Sequence, residues 1–79
     1  MLRLKIISPE RIVFNGDVEN ILVPGTLGEF EILNDHAPII STLEPGRVVY
    51  TTQEGKQQID IQGGFVEVKR NEVSLAVEL

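Results

Sequence analysis

Three groups of residues carry side chains or backbone patterns that could do chemistry. His36 follows Asp35 and precedes Ser41, the residue types of a nucleophile, base and orienting acid. Neighbours on an extended chain point to opposite sides, so Asp35 is badly placed to orient the His36 ring. His36 then reads as a turn histidine bonded to nearby backbone, or one lying in a contact surface. Glu29, Glu31 and Asp35 bring three carboxylates close in sequence, the oxygen ligands a hard cation would take. The EF-hand spacing and any Asp-x-Asp run are missing, so a solvated acidic loop is the simpler reading. Glu29 and Glu31 are two apart and would share one face of a strand, where they could attract a basic partner. Gly63-Gly64 could offer backbone amides to a phosphate, but no Lys-Ser/Thr follows and no helix is there to receive one. It reads as a bulge or tight bend in a sheet. No catalytic residue, metal ligand or cofactor site is assigned.

Around these residues the chain has room for one domain, residues 1–79. A chain of this size buries only a little over ~60% of its unfolded surface, so the core is small. The composition, 42% hydrophobic and 24% charged, is that of a folded protein rather than a disordered one. There is no cysteine, which removes disulfides, thiolate nucleophiles and cysteine-based metal sites together. A net charge of −5 is a poor match for nucleic acid or an anionic lipid surface. One tyrosine and no tryptophan leave few stacking platforms for bases. No apolar run approaches the ~20 residues that span a bilayer, and Met1 to Ile7 alternates apolar with basic residues, unlike a signal peptide. The expectation is a soluble protein that is not exported, with no direct membrane insertion.

The elements that must position these residues read as strands throughout. Leu2, Leu4 and Ile6 alternate with Arg3 and Lys5, the pattern of a half-buried strand that Pro9 ends. Ile12 to Phe14 and Asp17 to Val23 are expected to pair as a hairpin about Asn15-Gly16. Pro24-Gly25 closes the returning strand, and Thr26 to Glu29 forms a loop. Phe30 to Leu33 is a short strand, Asn34 to Pro38 a second turn, and Ile39 to Leu43 a further strand. Glu44-Pro45-Gly46 has the residue order of a type II turn. Beyond it lie Val48 to Thr52, Gln57 to Gln62, Phe65 to Lys69 and Val73 to Leu79. Strands recurring at about 8–12 residues with no helical period indicate an all-β fold: a two-sheet β-sandwich of about ten short strands without substantial helix. Val23 to Gly46 holds three of the four prolines and the only histidine. It is expected to build two rigid turns at one end of the sandwich, holding Glu29 and His36 outward.

The ordered set Val23-Pro24-Gly25-Thr26-Leu27-Gly28-Glu29-Phe30, His36-Ala37-Pro38-Ile39-Ile40 and Leu43-Glu44-Pro45-Gly46 closely resembles the amino-terminal domain of the epsilon subunit family of F-type rotary ATP synthases. Ile7 to Glu10, Phe14 to Glu19 and Gly63 to Val68 fit the same pattern, so the resemblance runs over essentially the whole chain. It implies a sandwich of two five-stranded sheets on the central rotor stalk. One side would pack on the gamma subunit, and the loop end would touch the polar loops of the membrane rotor ring of c subunits. Carried over by position, Ser8, His36 and Ser41 fall on or beside the gamma contact. Thr26, Leu27, Gly28, Glu29 and Glu31 fall at the ring contact, where the two acids would face basic residues. Two positions depart from the family pattern: Asn34-Asp35 stands where Pro-Gly is common, and Glu31 where Gly is common.

The resemblance implies a non-catalytic rotor subunit that couples gamma to the ring while a proton or sodium gradient drives ATP synthesis. It would lie at the cytoplasmic face of a bacterial plasma membrane, peripherally, as part of the catalytic head. Family members continue into two carboxy-terminal helices that bind nucleotide or block the motor. A chain ending at Leu79 is expected to keep the coupling role without that helical brake. A free-standing β-sandwich module for a peptide or small ligand is the alternative, and a small hydrolase centred on His36 is a third class. Co-purification with gamma and the catalytic head separates the first from the others.

Overall fold

The computed structural model describes all 79 residues and contains nine strands and no helix. They are β1 (Leu2–Ile7), β2 (Ile12–Val18), β3 (Asn20–Gly25), β4 (Gly28–Ile32), β5 (Ile39–Leu43), β6 (Gly46–Thr52), β7 (Gly55–Ile61), β8 (Gly63–Lys69) and β9 (Glu72–Glu78). Hydrogen bonding runs continuously in the order β2-β1-β9-β8-β5-β3-β6-β7, with β4 on the other side of β3. The β5–β3 junction is a single pair, Gly25 with Leu43. The sheet curls there, giving a layer of five strands (β2-β1-β9-β8-β5) against a layer of four (β4-β3-β6-β7). The sandwich expected from strand spacing is present, with nine strands where about ten are expected, in layers of five and four where the resemblance implies five and five.

Alternation puts the core between the layers. Leu2, Leu4 and Ile6 are fully buried while Arg3 and Lys5 are exposed, as their pattern requires. Sixteen apolar side chains form one cluster, and no polar or charged side chain is buried. Each fully buried aliphatic side chain contributes about 1.5–3 kcal/mol. The two ion pairs, Arg3–Asp17 at 3.5 Å and Arg47–Asp60 at 3.8 Å, join side chains that are all more than half exposed. Pairs of that kind contribute about 0–1 kcal/mol each, so burial decides the stability.

Two turn assignments made from sequence do not hold. Asn15-Gly16 is not a turn: both residues lie mid-strand in β2, paired with Lys5 and Leu4 of β1. The reversal falls at Ser8 to Arg11, where the Ser8 N–H donates to the Arg11 carbonyl at 2.9 Å. Gly16 serves space instead, since a Cβ there would stand 3.1 Å from the Phe14 ring. Phe14 lies along its own strand and meets Tyr50 of β6 across the layers, ring centroids 4.7 Å apart. Asp17 to Val23 is accordingly not one returning strand; the chain passes to the other layer at Glu19. Glu44-Pro45-Gly46 does not reverse the chain: β5 and β6 both run antiparallel to β3, so the segment carries the chain onward from one layer to the other, and Gly46 lacks the positive φ that a type II turn demands there. Gly46 begins β6 and lies close to Pro24, 3.0 Å from its Cβ to a built Cβ.

Gly63-Gly64 is the expected bend. Only Gln62 separates β7 in one layer from β8 in the other, and both glycines have positive φ (151° and 149°) while keeping the β8–β9 register.

Tyr50 is 8% exposed, and its burial raises the phenol pKa above the usual value. The folded state therefore holds the proton more tightly than the unfolded chain, whose tyrosines titrate near ~10. Stability from this group is complete below that pH and declines as pH rises through the folded pKa. Denaturant melts between about pH 8 and about pH 11 should show a fall in stability that Tyr50→Phe diminishes. Equal slopes for the two proteins would contradict this.

Candidate functional site

The β3–β4 hairpin is the most shaped surface feature. Its turn is two residues, Thr26 and Leu27, between paired Gly25 and Gly28, the latter at φ 123°. Val23, Pro24 and Gly25 are buried. A Cβ on Gly25 would come within 2.7 Å of the Phe30 ring, so that glycine lets Phe30 cover the base of the hairpin. Thr26 Oγ1 donates to the Thr42 carbonyl at 3.2 Å and meets the Thr42 hydroxyl at 2.5 Å, tying the turn to β5. Leu27 at the tip is fully exposed. The loop expected over Thr26 to Glu29 is thus shorter than its sequence suggested, because Gly28 and Glu29 are ladder residues of β4.

Glu29 and Glu31 share the outer face of the four-stranded layer, as their spacing requires. Their states differ. Glu31 Oε2 accepts a hydrogen bond from Asn20 Nδ2 at 2.7 Å. Glu29 is exposed opposite Pro24 and makes no side-chain hydrogen bond or ion pair. It is the free carboxylate of the hairpin. Asp35 is not with them. It stands beyond the far end of β4, where its N–H donates to Asn71 Oδ1 at 2.7 Å.

His36 is fixed by its own turn. Its N–H donates to the Leu33 carbonyl at 3.2 Å, and its Nδ1 lies 2.7 Å from the Ala37 carbonyl. A carbonyl can only accept, so Nδ1 carries the proton and Nε2 is left free. Ser41 lies on β5 in register with buried Val66, half-buried, its Oγ donating to the Thr42 carbonyl at 3.1 Å. The bonds made by His36, Asp35 and Ser41 are directed at backbone or at Asn71, not at one another. The expectation of two turns at one end is also corrected. The Thr26-Leu27 turn and the Ser8 turn lie at one end of the strands, while the His36 turn lies at the other, beside the β8–β9 turn. The length of β4, on the order of 15 Å, separates the two turns.

What lies between the ends of the five-stranded layer is a surface that single-residue motifs did not disclose. Register sets Ile12, Ile7, Ala76, Phe65 and Thr42 in one row across its outer face, and Asn15, Lys5, Ser74, Glu67 and Ile40 in the next. Ile12 (58%), Phe65 (52%) and Ile40 (75%) are exposed. Ser8 and Pro9 border the apolar row, over an open groove of about 390 Å³. The signal was in the sequence as apolar doublets: Ile6-Ile7, Ile39-Ile40 and Phe65-Val66 each put one apolar residue on each face of a strand that should have one wet side.

Comparison with known proteins bears on this arrangement. The family model for the β-sandwich domain of the ATP synthase delta/epsilon chain matches residues 1–78. The ATP synthase epsilon chain of Leptospira borgpetersenii is 42% identical over 77 residues, covering 98% of this chain and 61% of that protein. That of Nitratiruptor is 40% identical over 78 residues, with 98% and 60% covered. The chain thus spans about three-fifths of the length of these curated relatives. Among solved structures, a Euglena gracilis mitochondrial ATP synthase assembly of OSCP, F1 and c-ring contains a chain that superposes with a TM-score of 0.89 at 24% identity, over 96% of this chain and 49% of that one. A Tetrahymena thermophila mitochondrial ATP synthase central stalk and c-ring gives 0.84 at 18% identity, over 99% and 63%. These two likenesses concern the fold. With the family model matched from end to end and relatives near 40% identity, the chain belongs to the β-sandwich family of the ATP synthase delta/epsilon chain.

Proposed function

We propose that residues 1–79 form a single β-sandwich domain that serves as a non-catalytic part of the rotor of an F-type ATP synthase, fastening the gamma subunit to the membrane ring of c subunits. The observation that carries this reading is the exposed apolar row of Ile12, Ile7 and Phe65, with Ile40 beside it, on a sheet whose core face is already filled. A face of that kind suits a standing protein contact. Gamma packs on this outer face, with Ser8 at one margin and the His36 turn at the other; Ser41 lies in the β5 segment beneath it with its side chain on the inner face, in register with buried Val66, so that Ile40 and Thr42 on either side of it make the contact. The Thr26-Leu27 turn and the outer face of β4, with Gly28, Glu29 and Glu31, meet the ring. Position on the stalk places the domain at the cytoplasmic face of a bacterial plasma membrane, held there by its partners. Ion flow, whether of protons or sodium, and ATP chemistry belong to other subunits; this one supplies binding and rigidity. Family membership favours this reading over a free-standing ligand module or a hydrolase around His36.

The test is co-purification with gamma. The unaltered chain should hold gamma, and Ile40→Glu should weaken that association by tenfold or more, the range for an anchor in a desolvated contact. Ile40 is 75% exposed in the free chain, so melting should shift little. Retention of gamma by Ile40→Glu at full affinity would remove the outer face of β5 from the contact.

A further inference from the structure

We infer that Asn71 is a positioning residue that holds the His36 turn in shape for its partner; this rests on the reading of that turn as part of the gamma contact. The two turns are 36 positions apart in sequence yet bonded twice. The Asp35 N–H donates to Asn71 Oδ1 at 2.7 Å, and Asn71 Nδ2 donates back to Asp35 Oδ1 at 3.4 Å. An amide side chain is the group that can accept from a backbone N–H with one arm and donate to a carboxylate with the other. Asp35 needs such a partner. Its φ is 63°, in the left-handed region that a non-glycine residue adopts only when surroundings hold it there. Locally the turn has few fastenings of its own: the His36 N–H to Leu33 and the His36 ring to Ala37.

Asn71 is itself anchored. It sits in the two-residue turn between β8 and β9, next to Arg70 at φ 59°, and its carbonyl accepts from the Arg3 N–H at 2.8 Å. The latch therefore references the His36 turn to β9, the central strand of the five-stranded layer, and to its neighbour β1, and not merely to its own flanking strands. A turn fixed before contact loses little ordering entropy on contact, which is how the latch would serve recognition. None of the apolar core passes through it, so the fold does not depend on it.

A reciprocal exchange tests this on the full chain. Asn71→Asp keeps the acceptor for the Asp35 N–H but sets two carboxylates against each other, whereas adding Asp35→Asn restores one donor and one acceptor with the partners exchanged. In the free protein, Asn71→Asp should lower amide hydrogen-exchange protection at Asp35 by about tenfold, and the double variant should regain it. Association with purified gamma should weaken about fivefold in Asn71→Asp and recover in the double variant, with the midpoint of thermal unfolding nearly constant across the set. Unchanged Asp35 protection in Asn71→Asp, or no recovery in the double variant, overturns the latch. Loss of protection without loss of association overturns its role in recognition. His36→Ala with undiminished gamma association overturns the placing of His36 at that contact, independently of what the exchange data say about the latch.

Discussion

Gly64→Ala should be the most damaging single methyl group that can be added to this protein. A Cβ at Gly64 would overlap the Ala76 carbonyl oxygen and stand 2.9 Å from the Val77 Cα, both backbone of the paired strand β9. Backbone in mid-sheet cannot rotate away as a side chain does. The φ of 149° adds a conformation that alanine rarely adopts. Together these should cost about 3 kcal/mol or more, against a total stability of about 5–15 kcal/mol for a domain. The midpoint of thermal unfolding should fall by about 15 °C or the chain should fail to fold. Gly55→Ala supplies the comparison. Gly55 also has positive φ, at 108°, but nothing lies within 4 Å of a Cβ there, so only strain of about 1 kcal/mol remains. If Gly64→Ala melts no lower than Gly55→Ala, the close approach of β8 to β9 is wrong.

The reason Gly64 matters so much is topological. The chain changes layers at Gln62, and β8 must turn sharply to pair with β9 from its first residue. In sequence, Gly63-Gly64 announces a bend; which backbone it must approach is not announced. The same division runs through the whole fold. Alternation in Leu2 to Ile7 determines which side chains are buried, because period two is a property of one strand alone. That β1 lies parallel to β9 at its centre depends on residues some seventy positions away, and no local pattern reports it. Asn15-Gly16 shows the conflict directly. Its intrinsic turn preference is strong, yet pairing with β1 on one side and the Phe14 ring over Gly16 outweigh it. Propensity is a local tendency of modest size, and cross-strand pairing with burial overrides it.

At the site, residue types were legible and their grouping was not. Glu29 and Glu31 fall on one face because their spacing is even, as read. His36 and the Thr26-Leu27 turn looked like neighbours because only eight residues intervene, but those residues include most of a strand, and a strand separates what it joins. The apolar outer face was present in the doublets Ile6-Ile7, Ile39-Ile40 and Phe65-Val66. It becomes a patch only when β1, β9, β8 and β5 lie in register, with Ala76 of β9 between Ile7 and Phe65. Opposite ends and a shared face also make mechanical sense of the domain. On the proposed role, a part that joins a stalk to a ring must present one surface to each, and a sandwich with its hairpin tip at one end and a broad apolar side could do so without moving parts.

If the hairpin meets the ring as proposed, Glu29→Lys should produce the largest loss of ring association for any exposed position of the β3–β4 hairpin. Glu29 is the hairpin carboxylate with no internal partner, so its charge is available to a basic loop. Reversing it replaces attraction with repulsion across a wet interface, where each unit-charge pair is worth about 1 kcal/mol or somewhat more. Binding of the free chain to purified ring in detergent should weaken about tenfold at low salt, and the gap should narrow as salt rises, because charges at an interface rim are screened over roughly 10 Å. Glu31→Gln is the companion experiment. Glu31 is engaged by Asn20 at 2.7 Å, so neutralising it should leave ring binding within about twofold and instead loosen the Asn20 contact by about 1 kcal/mol. Neither variant touches the core, and melting should distinguish them little. The order of the two effects is what carries the argument. Were Glu31→Gln to weaken ring binding as much as Glu29→Lys, the bond to Asn20 would not withhold the Glu31 charge from the ring, and the free state of Glu29 would give it no larger part in the contact than Glu31. Were neither to matter, the ring would have to be met elsewhere, with exposed Leu27 at the hairpin tip the next residue to change.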